Sequence, residues 1–113
     1  MEPERFEGLV QQALEQIPAR FLDLIENCIV IIEDEPDPND PELFGYYDGI
    51  PLSERGSWYG GVLPDRIVIF RGPLLRHCLD EAEVVDEVRI TVWHEVAHFF
   101  GIDDHELDDL GYA

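Results

Sequence analysis

The sequence has 113 residues, enough for one domain with a single modest core, and 45% of them are hydrophobic. Its 26 Asp and Glu against 7 Lys and Arg give a formal net charge of −19, a field that repels nucleic-acid phosphate and anionic membrane and favours cationic peptides or partners. No apolar run reaches membrane-spanning length, and Glu2 and Glu4 stand where a signal peptide would carry positive charge, so a cytoplasmic protein is expected.

Phe6, Leu9, Val10, Ala13, Leu14 and Ile17 recur at intervals of three and four, which predicts an amphipathic helix over 3–17. Pro18 ends it or opens a short second helix reaching Glu26. Cys28-Ile29-Val30-Ile31-Ile32 is a β-branched run bounded by charge and reads as a buried strand. Residues 33–42 are acidic and interrupted by Pro36, Pro38 and Pro41, the composition of a surface loop. A calcium site is not expected there, because the EF-hand spacing and its glycine are absent. A short strand over 43–47 ends at the turn pair Asp48-Gly49. Ser57-Trp58-Tyr59 and Gly60-Gly61 read as a packed, aromatic and glycine-rich loop.

Residues 66–71 alternate too little for an exposed strand and predict a second buried one, ended by Gly72-Pro73, with a short helical turn over 74–79. Asp80 then offers an N-cap and Glu83 follows three residues later, the capping-box arrangement in its Asp form, which opens a long helix over 81–100. Val85, Val88, Val92, Val96 and Phe99 lie along one stripe of that helix and are expected to pack on the sheet, whereas His94 and His98 share another face with Glu87 and Thr91. Cys28 and Cys78 read as buried thiols rather than a bridge, and His77 as a packing or surface histidine. The expected fold is therefore α+β in a single domain over 1–113: a small mixed β-sheet packed by an N-terminal helix and the long histidine-bearing helix.

The end of that helix carries the chemistry. His94-Glu95-Val96-Ala97-His98 is H-E-x-x-H, which on a helix sets the two histidines one turn apart with Cβ atoms about 5–6 Å from each other, close enough to share one metal ion. Glu95 belongs to no ligand pair, and its natural role is to hold and deprotonate a water activated by the metal. A catalytic zinc ordinarily takes three protein ligands and keeps one position open. Gly101 supplies a sharp helix exit three residues after His98, and Asp104 follows three residues later with a carboxylate suited to the third place. The full pattern H-E-x-x-H-x-x-G-x-x-D is the metzincin signature with Asp in place of the third His. His105 is the main rival for that place, and Glu106, Asp108 and Asp109 read as a solvated acidic end or as partners of the histidines.

From Arg66 through Ile67-Val68-Ile69-Phe70-Arg71-Gly72-Pro73-Leu74-Leu75 to His94-Glu95-Val96-Ala97-His98-Phe99-Phe100-Gly101, the sequence resembles the minimal zincins, small bacterial zincin-like metallopeptidase domains. The resemblance implies a Zn2+ cofactor with His94, His98 and Asp104 as ligands, and Glu95 as the catalytic base. The sequence departs from full-size metzincins in that its only methionine is Met1, so no Met-turn lies beneath the metal. The expected function is zinc-dependent hydrolysis of peptide bonds, with a peptide or protein substrate of basic character, and with neither nucleic acid nor membrane as partner. A sheet edge beside the helix would hold the substrate by backbone pairing. Tyr46, Tyr47, Tyr59 and Tyr112 are candidates for stabilising the oxyanion. The alternative is a zinc-containing, non-catalytic acidic module that binds a basic protein or peptide. A third reading, an acidic decoy for nucleic-acid-binding proteins, rests on net charge alone.

Overall fold

The apolar run nearest the middle of the sequence becomes the middle of the sheet. The computed structural model describes residues 1–22, 28–49 and 65–101. Within them β1 (Cys28–Glu33), β2 (Gly45–Asp48) and β3 (Asp65–Phe70) form a three-stranded mixed sheet in the order β1-β3-β2. β1 runs parallel to β3 with Cys28 opposite Asp65, and β2 runs antiparallel to it with Gly45 opposite Ile69. The central strand buries Asp65, Ile67, Val68, Ile69 and Phe70, leaving only Arg66 exposed. That lack of alternation is what a strand covered on both faces requires.

β1 corrects the expectation that residues 28–32 form a buried strand. It pairs with β3 alone among the described residues, and Ile29 is 45% exposed. Cys28, Val30 and Ile32 pack against the core while Ile29 alternates away from it. A β-branched composition therefore made a strand, but its place at the edge left it half wet.

The helices cover the sheet as their periodicity demands. α1 (Pro3–Glu15) buries Phe6, Leu9, Val10 and Ala13, and Ile17 stays buried in the turn that follows. α2 (Ala19–Leu22) is a single turn after Pro18. α3 (Arg71–His77) starts earlier than expected: Gly72-Pro73 lie in its first turn rather than breaking the chain. Proline is tolerated there because first-turn amides have no intrahelical acceptor. α4 (Glu81–Phe99) is capped by Asp80, whose Oδ1 accepts from the Glu83 amide at 2.8 Å, while Glu83 Oε2 accepts from the Leu79 amide at 2.9 Å. The return bond of the capping box thus goes one residue further out than the standard arrangement. On α4 the buried stripe is Val84, Val88, Val92, Val96 and Phe99, with Val85 only half-buried. This stripe meets α1, where the Trp93 indole N–H donates to the Ala13 carbonyl at 2.9 Å.

The acidic segment expected over 33–42 is exposed apart from half-buried Pro36, although Glu33 still belongs to β1, and it is pinned rather than loose. Arg76 bonds both Glu35 Oε2 at 2.9 Å and the Pro41 carbonyl at 3.2 Å, Arg71 meets Asp34 Oδ1 at 3.2 Å, and the Gly72 amide donates to the Asp34 carbonyl at 2.8 Å. A Cβ on Gly72 would lie 2.6 Å from that carbonyl oxygen, so glycine is what lets α3 start this close to the loop. The Phe70 amide donates to the Phe44 carbonyl at 2.8 Å, which ties the end of the loop to the sheet just before β2. No helix among the described residues is long and apolar enough to cross a membrane.

Candidate metal centre

α4 carries two kinds of surface. Its valine stripe is buried, and the neighbouring face holds His94 and His98 in half-buried positions. Their rings meet edge to face, with centroids 4.6 Å apart and planes at 77°. Glu95, one residue on from His94, is turned inward and is 5% exposed. Its Oε1 lies 2.9 Å from His98 Nδ1. With the carboxylate ionised, Nδ1–H is the donor, and the neutral ring then carries its lone pair on Nε2, the form in which histidine binds a metal. Oxygen and nitrogen atoms of His94, Glu95 and His98 lie within 4.8 Å of one another. That contact between Glu95 and His98 was not anticipated from the motif, although their i, i+3 spacing permits it.

β2 explains how a carboxylate comes to be buried here. At Gly45 it passes so near α4 that a Cβ would lie 2.9 Å from Thr91 Cγ2, 3.1 Å from Glu95 Cγ and 3.3 Å from the Val68 carbonyl oxygen. A glycine within a strand is the signal of such an approach, and the sequence reading passed over it. Gly45→Ala should therefore push strand and helix apart and lower unfolding stability by about 1–3 kcal/mol, the usual cost of overpacking. Urea denaturation checks this; an unchanged midpoint would show that the contact yields freely.

In front of this helix lies a groove of about 360 Å³, with Leu43, Phe44 and Gly45 on one side and Thr91, His94 and Glu95 on the other. The helix ends where the sequence reading placed its stop. The Gly101 amide donates to the His98 carbonyl at 2.9 Å, and Gly101 has φ 87°, the left-handed conformation that glycine adopts freely. The structure therefore brings His94, Glu95 and His98 together; Asp104 and its rivals His105, Glu106, Asp108 and Asp109 lie outside the described residues, as do Tyr59 and Tyr112. Tyr47 packs edge to face on Phe99 and donates its hydroxyl to Asp65 Oδ2 at 2.6 Å, while Tyr46 alternates to the other face of β2. His77 packs edge to face on Phe44, as a structural histidine does.

Residues 25–112 match the zincin-like metallopeptidase family. The chain belongs to that family. Among solved structures, a conserved hypothetical protein from Thermo thermophilus superposes on this zincin-like chain with a TM-score of 0.58. The two are 24% identical over 97% of each chain, a likeness that speaks to fold alone. No curated protein matches the sequence.

The donor set of this zincin-like protein fits a metal. Tetrahedral zinc with bonds of about 2.0–2.1 Å needs neighbouring donors roughly 3.3 Å apart, and a ring nitrogen of His94 and one of His98 lie within 4.8 Å of each other. Two imidazoles on one helix face are nitrogen donors of the kind zinc takes, with the Glu95 carboxylate beside them. Cys78 lies outside the His94, Glu95 and His98 group, and burial pushes its thiol up, helped by the charges of Glu87, Glu83 and Asp80.

Proposed function

We propose that this protein is a zinc-dependent peptidase, with His94, His98 and Asp104 as the metal ligands and Glu95 as general base. The observation that carries this reading is the gathering of His94, Glu95 and His98, the first two of them in the wall of a groove beside strand β2. When bound, zinc would polarise the scissile carbonyl and lower the pKa of the attacking water. Glu95 accepts the proton of that water and returns it to the leaving amine nitrogen. A carboxylate has two oxygens, so the bond from His98 to Oε1 is compatible with proton transfer at Oε2. The same bond orients the His98 ring, the part an outer carboxylate plays toward a metal-binding histidine. A substrate laid along β2 would find backbone partners on a strand that, among the described residues, pairs only with β3. The pairing of elemental analysis with turnover of a quenched peptide library tests the proposal. Zinc together with cleavage that a chelator abolishes supports it, and a metal-free active protein defeats it.

The third ligand has its own test. Asp104→Ala should weaken zinc binding beyond the roughly 10–100-fold that loss of an outer partner costs, whereas His105→Ala should leave affinity within that range. Competition with a chromophoric chelator measures both. A reversed order would move the ligand to His105 and discard the metzincin-type spacing.

A further inference from the structure

We propose that the groove beside His94 and Glu95 is a specificity subsite for a lysine or arginine side chain flanking the bond to be cut, an inference that rests on the peptidase reading above. From His94 the groove runs toward the N-terminal half of α4, past Thr91 and Ile90 to Glu87. Its facing wall is the pinned segment before β2, which contributes Leu43 and Phe44 as apolar surface and Asp40 and Glu42 as charge. Among the described residues, no Lys or Arg lines it. A volume of about 360 Å³ lies at the small end of ligand sites, suited to one extended side chain rather than to a folded partner.

The distances select the length of that side chain. Glu87 precedes His94 by two helical turns, roughly 10 Å along the axis. A residue with its carbonyl at the metal centre would have to send a long side chain back along α4 to reach it. An aliphatic stem lying on Leu43, Phe44 and Ile90, with a cationic head at Glu87, matches both the floor and the end of the groove. A short or acidic side chain matches neither. Glu87 is the principal anchor for two reasons. It is half-buried, whereas Asp40 and Glu42 are exposed and so more strongly screened. Glu42 also acts on Arg76, whose guanidinium is pushed up by its hydrogen bond to Glu35 and by the charges of Glu35 and Glu42, whereas Glu87 forms no ion pair among the described residues.

The test compares blocked peptides that differ at one position, carrying lysine, norleucine or glutamate. Affinity is measured by calorimetry on the wild-type protein held in chelator and on zinc-loaded Glu95→Gln, so that no turnover intervenes. The zinc-loaded wild type is assayed separately for cleavage. The lysine peptide should bind roughly tenfold tighter than the norleucine peptide, the scale of a hydrogen-bonded charge, and the glutamate peptide more weakly than either. Glu87→Gln should bring the lysine-to-norleucine ratio close to one, and Glu87→Asp should restore part of it. Equal affinities in the wild type, or a ratio that survives Glu87→Gln, would overturn the subsite. The two readings fail separately. A Glu87-dependent lysine preference without cleavage by the zinc-loaded wild type keeps the subsite and defeats the peptidase, and cleavage without that preference does the reverse.

Discussion

Glu95→Gln should lower turnover of a susceptible peptide by about 10²–10⁴-fold, the usual worth of a positioned proton-transfer group, with zinc content and peptide affinity nearly intact. Gln keeps the shape of the side chain, which matters because Glu95 is buried, with its Cγ 3.1 Å from where a Cβ on Gly45 of β2 would lie. It also keeps an amide oxygen that can accept from His98 Nδ1, now at 2.9 Å from Glu95 Oε1, so the ring should hold its orientation. What is lost is basicity. Glu95→Ala would be a poorer experiment, since it removes the base, the partner of His98 and buried volume together. A peptidase thus predicts a fall in kcat at constant metal content. A zinc-bearing binding module predicts no cleavage by either protein and similar affinities for a basic peptide. Equal cleavage by wild type and Glu95→Gln would remove Glu95 from the mechanism.

The second large effect concerns the metal. His94→Ala or His98→Ala should each strip most of the zinc from dialysed protein, because zinc affinity depends on a complete ligand set and apparent binding free energies for full sites run to about 10–16 kcal/mol. The two variants should nevertheless differ without metal. His98→Ala takes away the hydrogen bond to a buried carboxylate, which should cost the metal-free protein about 1–3 kcal/mol of folding stability. His94→Ala leaves that bond in place and should cost less. Elemental analysis and denaturation of the metal-free proteins separate the effects. Full zinc occupancy in the double variant His94→Ala/His98→Ala would exclude this site altogether.

Much of the site was legible because its logic is local. The i, i+4 spacing of His94 and His98, the Asp80 cap and the Gly101 stop each depend on a single turn of chain, and each is found where periodicity and turn chemistry put it. The apolar rhythm of residues 6–13 likewise fixes which face of α1 is buried, although the helix ends at Glu15 rather than at Ile17. The start of α3 was misjudged because Gly72-Pro73 serves equally as a breaker or as a first helical turn, and the Asp34 carbonyl that accepts from Gly72 lies far back in the sequence.

Strand placement was not legible, and from it follows everything that shapes the groove. Residues 28–32 and 66–70 are similar apolar runs, yet among the described residues β3 is central and β1 is an edge, since pairing is made with distant segments and a run of valine and isoleucine does not say how many neighbours it has. The antiparallel register of β2 on β3 brings Gly45 against Thr91 and Glu95, residues roughly fifty positions away. Local chemistry placed two histidines on one face of a helix. Only the packing of β2 against that helix turned Glu95 inward to His98 and set Glu42 and Phe44 across a groove from Glu87, because those contacts join segments that no short-range pattern connects.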